Sequence, residues 1–370
     1  MPHLMHRSIL VALYFLFFQT IPLLAKPPAP GPGNISTLTG TGTKGLSGDG
    51  GKAADAQLNN PYAVARGPDG MIYICDIDNH RIRRITSDGK IETFAGTKKG
   101  YSGDGGPANS AALNLPYEMT WDKTGSLFFV EIGNHVVRRI DAKTGVISTI
   151  AGNGKPGFAG DEGPAKDAQF NQPHSLAFNA EGDLFICDII NHRVRKIDMK
   201  TNIISTWSGT GEKKTSPDGS PITGSSLQGP RALAFAPDGK CYLALREGNA
   251  LMLLDAKNNT MKRIAGTGKS GFTGNGGPAL QASLAGPKCV ALDAAGNVYL
   301  ADTESHSIRC YDIKTGTIEV IVGNGKKGDG PDGNNPLNCQ LNRPHGVFVD
   351  TDGSILIGDS ENHRVRVYRK

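Results

Sequence analysis

Beyond its first 25 residues the sequence has no apolar run approaching the roughly 18 residues that a membrane helix needs, which excludes an internal membrane span. It also lacks a dominant charge sign. Forty Lys and Arg stand against 35 Asp and Glu in 370 residues, spread evenly, so the surface carries no basic footprint for nucleic acid. The six cysteines do not form a disulfide framework by their positions. Cys75 and Cys187 hold equivalent places in two different repeats, and Cys339 stands where other repeats have Ala56 or Ala168, so all three read as small buried residues. Pairings involving Cys241, Cys289 or Cys310 stay open. Helical periodicity is missing too. What abounds is turn-forming residues, 49 Gly and 22 Pro beside 38% hydrophobic residues, the composition of many short strands joined by tight turns.

The N-terminus differs from the rest. His6 and Arg7 precede an apolar run from Ile9 to Phe18, followed by Leu23, Leu24 and Ala25. Residues 1–25 therefore read as a secretory signal peptide, with an uncleaved membrane anchor as the alternative, and export to the periplasm or the exterior follows. Residues 26–34 are a Pro/Gly linker, and 35–370 form a single domain.

Three landmarks recur in register through that domain. A Gly-rich loop centres on Asp49, Asp104, Asp161, Asp218, Asn275 and Asp332; a proline recurs at 61, 116, 173, 230, 287 and 344; and a third series runs His80, His135, His192, Asn249, His306 and His363. Each series steps by 55 and then four times by 57, so one supersecondary unit is repeated six times. The third unit shows its parts: HSLAF from His174, DLFICD ending at Asp188, RVRKID from Arg193 and IISTWSG from Ile203. These predict four antiparallel strands, A to D, with hairpin-like A–B and C–D turns. That is the size of one propeller blade, and the fold class is all-β, a six-bladed β-propeller. The last unit stops after its strand C, while ISTLTG at 35–40 matches the D strands of other units. Pairing the two closes the ring and removes an exposed sheet edge.

The segments ISTIAGNGKPGFAGDEGPA, LFICDIINHRVRKID and SILIGDSENHRVRVY resemble NHL repeats, in which an Asp closes one strand and Asn-His-Arg opens the next. The resemblance covers 35–370 and implies a propeller used mostly as a binding platform, with enzymes among its relatives. The fourth unit departs from it, because Leu245, Asn249 and Ala250 replace Asp188, His192 and Arg193 of the third.

A catalytic group is needed once, whereas a group present in nearly every blade serves what every blade needs. Asp76, Asp188, Asp302, Asp359 and their neighbouring histidines thus read as structural, an Asp and an Arg at the B–C corner satisfying backbone donors and each other. The GDGG loops read as Asx-type turns rather than calcium sites, since each supplies one carboxylate. Function belongs where repeats differ at one geometric place, on the face of the B–C corners and long D–A loops. The residue after each landmark proline lies at the channel mouth on that face: Tyr62, Tyr117, His174, Arg231, Lys288 and His345. Such a ring attracts an anionic or hydrogen-bonding ligand; alternatively it caps the channel.

QPHSLAF and RPHGVFVD resemble the histidine-bearing segments of peptidylamidoglycolate lyase propellers, a likeness that implies zinc held on histidines. Only His174 and His345 match, on opposite blades and without a convincing third ligand. Gluconolactonase-like propellers bind a divalent metal through channel carboxylates, and the ring has none. The leading expectation is a non-catalytic scaffold with no cofactor, taking a protein, peptide or glycan partner outside the cytoplasm, or a small anionic ligand. The alternative is a lyase or hydrolase with a divalent metal, zinc or calcium, His174 or His345 as base and Arg231 or Lys288 as electrostatic stabiliser.

Overall fold

The computed structural model describes residues 33–370, so the segment read as a signal peptide and nearly all of the expected linker lie outside the described residues. Six antiparallel sheets follow one another along the chain. Blade one contains strands A (Pro61–Arg66), B (Ile72–Asp76), C (Arg81–Ile85) and D (Ile91–Ala95). Blades three and four repeat the plan from Pro173–Phe178 to Ile203–Ser208 and from Pro230–Phe235 to Thr260–Ala265. In blades three and five the D–A loop adds a two-residue fifth strand, Gly163–Pro164 and Gly277–Pro278, along the outer edge of strand D. Blade six is completed as expected. Asn34–Thr39 pairs antiparallel with Arg364–Arg369, in a register running from Asn34 opposite Arg369 to Thr39 opposite Val365.

Burial follows radial position. Every strand B is buried along all five residues, because neighbouring blades cover both faces of the sheet. Strand D at the rim is only partly covered, and its outer edge is occupied by the long loop arriving from the preceding blade: Gly50 N–H donates to Ile91 O and Ile91 N–H to Gly51 O. Sheet edges are thereby paired rather than left open. All six cysteines are buried free thiols, so the open pairings of Cys241, Cys289 and Cys310 do not form.

The recurring polar residues have assignable tasks. In blade three, Asp188 accepts from Asn171 N–H at 2.7 Å and from the Asn191 amide at 2.7 Å, with the Arg195 guanidinium 3.7 Å away. The arginine that serves the corner is therefore Arg195, two residues beyond the signature Arg193, which instead donates to the carbonyls of Asn191 and Thr210. Arg195 reaches on to Asp161 of the Gly-rich loop at 2.6 Å. The same pair recurs as Asp49 with Arg83, Asp104 with Arg138 and Asp332 with Arg366. The loop carboxylates are thus not spent on Asx turns. They reach the guanidinium and strand D, where Asp161 accepts from Thr206 Oγ1 and Asp104 from Thr149 N–H, because a buried arginine needs several acceptors.

The histidines join blades. Each stands in left-handed backbone conformation and accepts, through Nδ1, the N–H of the residue before the next landmark proline. His80 takes Leu115, His135 takes Gln172, His192 takes Gly229, His306 takes Arg343, and His363 takes Asn60 across the ring closure, at 3.1–3.2 Å. Asn249 makes the sixth latch with its Oδ1, 2.9 Å from Gly286 N. Blade four has lost its carboxylate, then, but kept its latch.

Candidate functional site

The landmark prolines start strand A in blades one to five and stand just before it in blade six, and the residue after each packs among its counterparts. Tyr62 stacks on His345 with centroids 3.8 Å apart and meets Tyr117 edge-on at 4.7 Å; Tyr117 in turn meets His174 at 4.6 Å. The Arg231 guanidinium lies over the Tyr117 ring at 4.8 Å and donates to its hydroxyl. Lys288 Nζ is 2.8 Å from Glu304 Oε1 and 3.1 Å from His345 Nε2. Glycine permits the tightest part of this packing, for a Cβ on Gly346 or Gly358 would collide with the Tyr62 carbonyl.

The six residues form a packed layer. Tyr117, His174, Arg231, Lys288 and His345 are 3–6% exposed. Burial, reinforced by Arg231 and Lys288, pushes both histidines well below their ordinary pKa, and each uses Nδ1 on a carbonyl of its own chain two residues earlier, His174 on Gln172 and His345 on Arg343. Burial also brings Lys288 down to about 7 and raises Tyr117. His345 Nε2 faces Lys288 Nζ, so His345 does not offer the open lone pair that a metal shared with His174 requires. Among the described residues no group of three or more His, Cys, Asp or Glu is gathered to hold a metal ion.

Open space lies deeper. A cavity of about 390 Å³ runs along strands A from the second or third residue after each proline to the A–B turns, the face opposite the long loops. Its walls are mostly Ala, Val and Leu, with Trp121, Phe178, Phe235 and Phe348 toward the turn end. Arg66 lines it but is already neutralised, its Nε 3.0 Å and its other nitrogen 2.7 Å from the two oxygens of Asp350. The remaining acid in the lining is Glu118, whose carboxyl is raised to about 8 by burial, against lowering by Ser175 and Arg231, and so is largely uncharged at neutral pH. One signal for Glu118 was present in the sequence. Its register position reads Ala63, Glu118, Ser175, Ala232, Cys289 and Gly346, five small residues and one long acid.

Similarity to known proteins agrees with this architecture. The NHL repeat family matches residues 284–311 and 341–368, and the Teneurin NHL domain family matches 32–102. Protein SUPPRESSOR OF QUENCHING 1, chloroplastic, of Arabidopsis thaliana is 28% identical over 272 residues, covering 70% of this chain and 25% of that protein. NHL repeat-containing protein 2 of Gallus gallus is 28% identical over 287 residues, covering 69% of this chain and 38% of its own length. The chain thus spans well under two thirds of either relative. Among solved structures, an auxiliary nutrient binding protein from Bacteroides thetaiotaomicron shares the fold, with TM-score 0.67, 16% identity, and coverage of 91% of this chain and 76% of that one.

Proposed function

This chain is an NHL-repeat protein folded as a six-bladed propeller, and we propose that it is an exported binding module rather than an enzyme. The observation that carries the reading is the bonding state of its polar groups. The corner carboxylates, the corner arginines and the latch histidines are engaged in every blade that has them, and within the ring at the long-loop mouth Arg231 bonds Tyr117 and Lys288 bonds His345. Among the described residues lining the axial cavity, Glu118 is the one acid, raised to about 8 by burial and so largely uncharged at neutral pH. A lone acid among apolar walls orients a ligand, whereas acid–base chemistry asks for a second group set against the reacting atoms.

Export rests on the apolar, positively led N-terminus and agrees with a fold shared by a protein named for nutrient binding. The ring presents a protein, peptide or glycan partner with a rigid long-loop face, and a small ligand with the axial cavity. Metal analysis of the purified protein tests the reading. About one tightly held divalent ion per chain, released by His174→Ala or His345→Ala, overturns it in favour of a metal-dependent lyase or hydrolase. Metal far below one ion per chain, with a thermal midpoint unmoved by chelator, supports it.

A further inference from the structure

We propose that a pocket on the long-loop face of blade one receives an aromatic side chain of a partner polypeptide, which stacks on the Arg81 guanidinium in the place that Phe158 takes in blade three. The inference rests on the binding-module reading above and names one point of contact on its long-loop face.

The repeat itself shows what the pocket fits. Five blades bury an arginine on strand C: Arg83, Arg138, Arg195, Arg309 and Arg366. In four of them the residue three positions before the central Asp or Asn of the Gly-rich loop covers an arginine of that blade. The Arg138 guanidinium lies 5.4 Å from the centre of the Tyr101 ring and that of Arg309 5.7 Å from Phe272. Phe158 has Arg193 at 3.7 Å and Arg195 at 4.9 Å, and in blade six Asp329 pairs with both Arg364 and Arg366. Blade four, with Ala250 and Met252 in place of the arginines, carries Thr215. Blade one is the exception. It keeps both Arg81 and Arg83 but has Leu46, which offers no ring to stack on a guanidinium. There a cavity of about 430 Å³ opens beside Leu46, Asp49, Arg81, Arg83 and Thr93, with no aromatic residue in its lining.

The surrounding bonds match those of blade three. Arg81 donates to Asn79 O at 2.8 Å and to Thr97 O, as Arg193 donates to Asn191 O at 2.9 Å and to Thr210 O. Arg83 is 2.6 Å from Asp49 and Arg195 2.6 Å from Asp161, and Thr93 and Thr206 donate to those carboxylates at 2.7 and 2.6 Å. The edges of the arginines are engaged in both blades, and what blade one lacks is the cover over a guanidinium face. Charge favours a ring as that cover. Arg81 and Arg83 already face two acids, Asp49 and Asp76, so an incoming carboxylate would leave the corner with excess negative charge, whereas an uncharged ring would not. The rim is polar, with Thr97 and the exposed Asn109, and suits the peptide backbone on either side of the ring.

Acetyl-Gly-X-Gly-amide peptides with Phe, Leu or Asp as X, titrated into the intact protein, test the proposal by NMR at the methyl groups of Leu46 and Thr93, whose signals a stacked ring displaces by its ring current. The Phe peptide is expected to bind at least about threefold more tightly than the Leu peptide, and the Asp peptide to leave both signals in place. Leu46→Phe supplies the ring from within. It should raise the thermal midpoint by about 1–2 °C and abolish the effect of the Phe peptide at Thr93. A midpoint no higher than the parent's shows that a ring finds no seat beside Arg81 and overturns the proposal. Equal binding of the Phe and Leu peptides, an Asp peptide that binds as well as the Phe peptide, or no binding by any of the three overturns the aromatic assignment. Benzyl alcohol binding as tightly as the Phe peptide overturns the polypeptide partner in favour of a free aromatic molecule. The metal analysis decides the binding-module reading separately from all of these.

Discussion

Blades three and four share the same four main strands and adjacent places in the ring, yet their B–C corners are built from opposite materials. Blade three buries Asp188, Asn191 and Arg195 as a hydrogen-bonded set, and Asp188 and Arg195 are fully buried. In blade four the equivalent positions, 57 residues on, are Leu245, Gly248 and Met252, with Leu245 and Met252 packed beside Leu227 at 0% exposure. All three members have changed together. A buried ion pair lacking one partner is far costlier than no pair, whereas a whole set exchanged for apolar groups of similar volume is close to neutral. The comparison teaches that the corner is a unit, and that the carboxylate of the signature is not required for a blade to fold.

The sharpest break of that comparison is Asp188→Leu alone. It leaves Arg195 with one carboxylate fewer and strips Asn171 N–H and the Asn191 amide of their acceptor, and should cost about 3–5 kcal/mol in denaturant unfolding. Leu245→Asp, which places an acid in blade four without a guanidinium, should cost about 1–3 kcal/mol and should be milder at acid pH, where the new acid is uncharged. The triple variant Asp188→Leu, Asn191→Gly, Arg195→Met rebuilds blade four's corner in blade three. Its loss should fall within about 1–2 kcal/mol, well below the single Asp188 change; a triple variant worse than the single one would show that the corner is not a unit.

The latch supplies the smallest effect and a sign. Burial lowers the pKa of His192 below its ordinary 6.5, so the folded protein holds it neutral as an acceptor. Its contribution is complete above about pH 6.5 and is lost as pH falls through the folded pKa, because the unfolded chain takes up the proton first. Asn249 makes the equivalent bond without titrating. His192→Asn should therefore match the parent at pH 7.5 and lose less stability between pH 6.5 and 5, whereas His192→Ala should be weaker by about 1 kcal/mol at neutral pH. Parallel pH–stability curves for the parent and His192→Asn would break the latch assignment.

Much of the scaffold was legible in the residues. The fixed step of the three landmarks marks six blades, and the match of residues 35–40 to other D strands marks the closure. Other features were partly visible. Leu245 announced the changed corner, but Gly248 and Met252 do so only once Arg195 rather than Arg193 is known to face Asp188. That fact depends on which way a side chain points from the pleat. Glu118 stands out in its register column, but nothing along the chain says that the column borders open space while the one before it packs shut.

By itself the sequence determined the repeat, the four main strands of each blade and the closure, because these follow from local alternation and turn chemistry multiplied six times. Tertiary structure decided the rest. It set which of the six axial side chains touch, closed the long-loop mouth with them, and left Glu118 facing the cavity beyond. Those outcomes depend on the sizes and charges of six residues more than fifty positions apart in sequence, brought within contact distance only when the ring closes.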